Sequence, residues 1–352
     1  MSRFSVQAAV ALSVAALAAC SLQRSPSSYA LMSSAMPSGS MTDDHMSHMS
    51  PADLTAPAAR TMSASQQGVA GLPPSANTAE ARLKASPRHG EWVKIAWEKG
   101  SGDSLMAYVV YPTSKAKAPV VVVVHEIFGL QTWVRGVADQ VAADGFIAIA
   151  PDILSRVRGG ASNVELSGDS ARKLIAGVGT TERNRAIAAA ANFAMMLPSA
   201  QQKYSVIGYC WGGQTVFAHA INQGVKGFSG GVAFYGAFPY MKGGSPATAT
   251  TAAVPAMVDV DSLTKIKAPV MLLSGSKDGR IGAMMPTIDS LMKAQGKSYS
   301  GTNYEGAVHG FLRAQDDPKA TRDMVEEAAN LAATKDGWPK TIAFLKKNMG
   351  VK

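Results

Sequence analysis

Cysteine is almost absent from this chain: its 352 residues contain two, Cys20 and Cys210. A small disulfide-stapled scaffold is therefore excluded. Negative charge is also scarce, with 25 Asp and Glu against 34 Lys and Arg, for a net charge of +9. No Arg-rich run and no nucleic-acid motif accompanies the surplus, so it reads as a solvated basic surface, and nucleic acid is not an expected partner. The apolar stretch nearest the N-terminus, residues 8–17, is too short to cross a bilayer as a stop-transfer helix. No His/Asp ligand cluster occurs at recognisable metal spacing, so neither a metal nor another cofactor is expected. What is there suffices for a core: 47% of residues are hydrophobic and 17% charged, in a length that allows one large domain or two medium ones.

Residues 1–20 read as an export signal: Arg3 supplies a positive start, residues 8–17 the apolar centre, and the segment closes on Leu17-Ala18-Ala19-Cys20. That ending resembles the lipobox of bacterial lipoproteins. The resemblance implies cleavage before Cys20, lipidation of its sulfur and a membrane partner reached through the lipid anchor. Ser21 rather than aspartate follows, which in Gram-negative lipoproteins implies an outer-membrane protein facing the periplasm or the surface. The other reading is an ordinary signal peptide cut after Ala19. With Cys20 processed, Cys210 is left as a lone thiol, which suggests that it is kept for reactivity. Residues 21–87 are rich in Ser, Ala, Pro, Thr and Met, almost free of aromatics and without sustained period, and read as a disordered tether. Within them, Met41-Thr42-Asp43-Asp44-His45-Met46-Ser47-His48-Met49 sets a His-x-x-His beside three methionines. Those donors suit Cu(I), while the plainer reading is a polar linker with incidental histidines.

Residues 88–352 read as one folded α/β domain. Segments 91–97 and 104–111 alternate and are split by a glycine-containing turn, as in an antiparallel pair. The β-branched run 119–124 has the character of a central strand buried on both faces. Strands at 146–150, 203–207, 231–235, 269–274 and 299–304 alternate with helical patterns at 134–144, 181–197, 214–220, 284–294 and 321–347. That alternation predicts a doubly wound, mainly parallel sheet. Residues 243–253 read as a loop insertion.

The stretch Gly208-Tyr209-Cys210-Trp211-Gly212-Gly213 lies between a strand and a helix. The pattern G-x-C-x-G resembles the nucleophile elbow of α/β-hydrolases, with sulfur in place of the serine oxygen. Small residues are needed where a strand turns directly into a helix. The free N–H groups of that helix favour a thiolate at its start. In such sheets reacting groups collect beyond the carboxyl ends of the strands. Glu126, Cys210, Asp278 and His309 all fall there, and the order nucleophile, acid, histidine is that of the α/β-hydrolases.

The elbow, His125-Glu126-Ile127-Phe128-Gly129-Leu130, Ala150-Pro151-Asp152-Ile153-Leu154, Gly275-Ser276-Lys277-Asp278 and Glu305-Gly306-Ala307-Val308-His309-Gly310-Phe311 together resemble the dienelactone hydrolase (carboxymethylenebutenolidase) family over about three quarters of the chain. The resemblance implies a lactone or small-ester hydrolase with an acyl-enzyme. In it Cys210 attacks, His309 relays protons, Asp278 orients the imidazole and Glu126 helps deprotonate the thiol. The N–H groups of Ile127 and Trp211 form the oxyanion hole, and Arg313 binds a substrate carboxylate. The family's second substrate arginine has no clear match, Arg172 being near but out of register. Trp211 is bulkier than the usual leucine and is expected to narrow the acyl site. Two other readings compete. One is a Glu-Cys-His redox or deglycase protein, against which the order Cys, Asp, His speaks. The other is a non-catalytic, ligand-binding surface lipoprotein on a hydrolase scaffold, which only turnover excludes.

Overall fold

The computed structural model describes residues 68–351 apart from 98–101, 163–165, 246, 255 and 318–320. Cys20, the signal segment and the Met/His patch at 41–49 lie outside the described residues.

Eight strands form one sheet in the order β1-β2-β4-β3-β5-β6-β9-β10. They are β1 (Gly90–Ala96), β2 (Ser104–Val110), β3 (Ala118–Val124), β4 (Ile147–Asp152), β5 (Ala200–Tyr209), β6 (Phe228–Phe234), β9 (Val270–Gly275) and β10 (Tyr299–Tyr304). The pairs β1/β2 and β2/β4 are antiparallel, and every other pair is parallel. Every residue of β3 is buried, as its unbroken Val run requires of a strand covered on both faces. Among the covering helices, α2 (Thr132–Ala143) and α9 (Met324–Met349) are linked where Trp338 Nε1 donates to Asp144 Oδ2 at 3.0 Å. Helices α5 (Thr180–Met195) and α6 (Trp211–Ile221) are joined where Arg183 Nη1 donates to Thr215 Oγ1 at 2.8 Å. The remaining long helix, α8 (Ile281–Ala294), joins β9 to β10.

Three differences from the sequence reading have physical causes. Ordered chain begins before residue 88. Residues 72–75 are buried and lead into α1 (Ala79–Lys84), because Trp133 Nε1 donates to Pro74 O at 2.9 Å and Gln315 Nε2 donates to Pro73 O at 2.9 Å. The polar stretch after β4 holds two helices, α3 (Ser155–Arg158) and α4 (Gly168–Ala176), the second started by Ser167, whose side chain accepts from Ser170 N. The insertion after β6 contains a small antiparallel ribbon, β7 (Met241–Lys242) with β8 (Met257–Val258), followed by α7 (Val260–Thr264).

Inside α6, His219 is buried and receives a hydrogen bond at Nε2 from the Tyr204 hydroxyl (2.8 Å), which itself accepts from Val225 N (2.9 Å). Burial pushes this imidazole down to about 4 from an ordinary 6.5. The unfolded chain therefore takes up a proton that the folded chain refuses. His219 contributes fully above pH 6.5, and the contribution falls as pH drops through about 4. The loss is expected to reach at most about 3 kcal/mol. Urea unfolding at pH 7 and pH 4 checks this: His219→Leu should be less stable overall yet lose less on acidification than the native chain. An identical loss in both proteins would place the acid lability elsewhere.

Candidate active site

Parallel registers bring five strand ends to one edge. Val124 pairs with Gly208, Tyr209 with Phe234, Phe234 with Leu273, and Gly275 with Tyr304. The residues that follow these strands therefore meet: Glu126, Cys210, Tyr235, Asp278 and His309.

Cys210 sits between β5 and α6 at φ 53° and ψ −112°, in the left-handed half of backbone space that side chains avoid. Packing holds it there. Its N–H donates to Phe234 O at 3.0 Å, and its carbonyl accepts from Gln214 N at 3.0 Å. The approach of helix to strand leaves no room for Cβ atoms on either side. At Gly208 a Cβ would lie 2.2 Å from Gly212 O, and at Gly212 it would lie 2.4 Å from Val124 O. The glycines are thus demanded by backbone contact. The side chain of Cys210 stands at the first turn of α6, where N–H groups lack helical acceptors and favour negative charge.

Asp278 and His309 lie on two interlocked loops. Lys277 N donates to Ala307 O at 2.9 Å, and a Cβ at Gly275 would come within 2.2 Å of the same oxygen. Asp278 Oδ2 faces His309 Nδ1 at 2.6 Å, and Oδ1 accepts from Ile281 N at 3.0 Å. Both side chains are almost fully buried. Burial disfavours the imidazolium, but the Asp278 carboxylate and the Cys210 sulfur outweigh it and push His309 up to about 10. Burial likewise works against ionised Asp278, and the facing imidazole overrides it to hold the carboxyl below its ordinary range. The Cys210 side chain lies close enough to His309 to favour its charged form.

Glu126 is buried beyond β3, with Oε2 3.1 Å from Arg313 Nε. Burial disfavours charge on Arg313, but the Glu126 carboxylate outweighs it and keeps the guanidinium charged. The arginine read as a carboxylate binder thus already holds a carboxylate of its own chain. Arg172 instead pairs with Asp169 on its own helix. The peptide before Glu126 is anchored by buried His125. Its Nε2 accepts from Ile153 N at 3.0 Å, which leaves Nδ1 to donate to Glu126 O at 2.5 Å. Ile127 follows directly, and Trp211 is the first residue of α6. The Trp211 ring is buried. It packs between the His125 ring (5.6 Å) and the Arg183 guanidinium (5.0 Å), where its bulk fills core.

Residues 105–349 match the dienelactone hydrolase family. The chain belongs to that family. It is a hydrolase of the carboxylic-ester and lactone class. A putative carboxymethylenebutenolidase of Synechocystis sp. is 29% identical over 237 residues, covering 65% of this chain and 92% of the relative. A probable 2-oxo-3-(5-oxofuran-2-ylidene)propanoate lactonase of Bradyrhizobium sp. is 25% identical over 261 residues, covering 73% of this chain and 93% of the relative. The fold matches the crystal structure of a putative dienelactone hydrolase from Klebsiella pneumoniae with a TM-score of 0.54 at 22% identity, covering 74% of this chain and 99% of that one.

Two further residues of this dienelactone hydrolase domain escaped the sequence reading. Tyr235 directly follows β6 at φ 39°, with its ring centroid 5.0 Å from that of His309. Tyr209 precedes the elbow and lies 6.2 Å from Tyr235, centroid to centroid. Both hydroxyls and Glu126 Oε1 are buried without a hydrogen-bond partner among the described residues. The available signal was positional: each tyrosine adjoins the carboxyl end of a strand in the central run.

Proposed function

We propose that this chain hydrolyses a lactone or small carboxylic ester by covalent catalysis at Cys210. The observation that carries the reading is the buried Asp278–His309 pair at 2.6 Å beside a strained cysteine at a helix start. The sulfur adds to the acyl carbon, and the carbonyl oxygen becomes an oxyanion faced by the N–H groups of Ile127 and Trp211. The C–O bond then breaks, and His309 gives its proton to the leaving oxygen. Water next adds to the thioester, its proton goes to His309, and the C–S bond breaks to return the thiolate. Asp278 holds the imidazole in the tautomer and orientation that both transfers need. Glu126 accepts the thiol proton when the substrate's own carboxylate competes for Arg313.

The substrate class inferred from Arg313 is a lactone bearing a carboxylate. A guanidinium holds a carboxylate with two parallel hydrogen bonds, and lysine does not. Arg313→Lys keeps the charge beside Glu126 but loses the fork. In a panel of aryl esters, neutral lactones and a carboxylate-bearing dienelactone, KM for the charged lactone is expected to rise about tenfold and KM for neutral esters to change less than about twofold. Equal changes across the panel would remove Arg313 from substrate recognition. The first 20 residues support export and lipid attachment at Cys20, which mass spectrometry of the mature N-terminus checks.

A further inference from the structure

Residues 72–79 form a strap, buried at all but Ala76 and Asn77, that precedes the stretch matching the family, which starts at residue 105. The strap touches the two parts of the protein that frame the site. On one side it lies along α2. Trp133 Nε1 donates to Pro74 O at 2.9 Å, and a Cβ at Gly136 would come within 2.7 Å of Pro74 Cγ. The Trp133 ring in turn meets the Tyr209 ring edge-on, at 5.0 Å between centroids. On the other side the strap meets the turn that begins at His309. Ala76 N donates to Arg313 O at 3.0 Å, while Gln315 Nε2 donates to both Pro73 O and Leu312 O at 2.9 Å. The strap is itself rigid. Ser75 and Thr78 exchange bonds, Ser75 N to Thr78 Oγ1 (3.0 Å) and Thr78 N to Ser75 Oγ (3.3 Å). Arg82 closes it with Nη1 to Leu72 O at 2.7 Å and Nη2 to Gln140 Oε1 at 2.9 Å.

The turn from His309 to Arg313 is a short, locally bonded unit, with Arg313 N and Ala314 N both donating to Gly310 O (2.9 and 3.0 Å). One end carries the imidazole that faces Asp278, and the other carries the guanidinium that faces Glu126. A unit so short moves as one body, so whatever fixes Arg313 O also fixes His309 and Glu126. We propose that the N-terminal strap is a positioning element of this active site. Ala76 and Gln315 clamp the His309–Arg313 turn, and without the clamp the turn is intact but misplaced. The proposal rests on the reading of the site given above.

Ala76→Pro tests it with the full chain. Ala76 is an exposed residue of the turn between Ser75 and α1, outside every strand and helix, so proline there breaks no ladder and removes one N–H. That N–H is the one given to Arg313 O. Native turnover of a neutral aryl ester is measured first, since its absence would strike the functional reading and leave the strap out of account. Against it, Ala76→Pro is expected to lower kcat about tenfold with KM within about twofold, because small displacements of reacting groups act on the chemical step. The urea midpoint should stay at its native value. Ala76→Ser, which retains the N–H, should restore native kcat. Gln315→Met should lower kcat in the same way, and the double variant should fall no further than the lower single one, because both act on one body. Native kcat in Ala76→Pro overturns the proposal. So does a fall in kcat matched by a fall in the urea midpoint, or an equal fall in Ala76→Ser.

Discussion

Replacing Cys210 by alanine is expected to lower hydrolysis of every substrate by about ten-thousandfold or more while the protein stays folded. The rate argument is chemical: without sulfur no acyl-enzyme forms, and water alone must attack a carbonyl for which the elbow was built. The folding argument is geometric. Two bonds that hold residue 210, to Phe234 O and from Gln214 N, are made by its backbone, and alanine keeps them. The left-handed φ is already imposed by the packing of α6 on β3 and β5. Only one sulfur atom leaves a small space, at a cost of about 1 kcal/mol. A second readout is the imidazole. With the sulfur gone, one of the groups that push His309 up is gone, so its titration by NMR should move down from about 10. Residual turnover above one part in a hundred would mean that sulfur is not the nucleophile. Loss of folding would make Cys210 structural.

The site was legible in the sequence because its parts are tied to strand ends. The Val run of β3, the elbow after β5 and the Asp and His after β9 and β10 each announce a parallel strand followed by a chemically capable side chain at its end. Registers such as Val124 with Gly208 bring them together as topology requires. The strap was not legible, for a physical reason. Leu72-Pro73-Pro74 has no period and almost no aromatic character, so local composition reads it as tether. Its order comes from Gln315, 242 positions away in sequence, and from Trp133. Tertiary bonds of that separation leave no mark on a local window. The Glu126–Arg313 pair is hidden in the same way, since each partner reads alone, Glu126 toward the Cys210 thiol and Arg313 toward a substrate carboxylate. A position beside the nucleophile suggests a side chain that faces the substrate. The first side chain of a helix can equally turn into the core, and here His125 and Arg183 receive it.

Stability should depend on pH from both sides of neutrality, because the three buried histidines do not shift in one direction: burial pushes His125 and His219 down, while His309 is pushed up. His219 is pushed down to about 4 and withdraws stability as acid is added. His309 is pushed up to about 10, so its contribution is complete below its ordinary 6.5 and is lost as pH rises through about 10. The second effect belongs to the Asp278–His309 pair, which ties alkaline stability to the proposed machinery of the reaction.

Asp278→Asn is therefore expected to act on both at once, with a fall in kcat of about ten-thousandfold. The amide keeps an oxygen for Ile281 N, so the start of α8 stays capped. Its NH2 group must then face His309 Nδ1. That nitrogen can no longer donate and becomes an acceptor, which moves the ring proton to Nε2. An imidazole in that tautomer offers the sulfur a proton where it should take one. The carboxylate that outweighed burial is also lost, so His309 should titrate well below 10 and be neutral over more of the working range. The stability difference between native and variant should be large at pH 6 and shrink above pH 10, where the native pair too has lost the imidazolium proton. Kinetics, NMR titration of His309 and urea unfolding at those two pH values read the three effects separately. A variant that loses stability equally at both pH values and keeps native kcat would reduce Asp278 to a helix cap and leave His309 without its orienting partner.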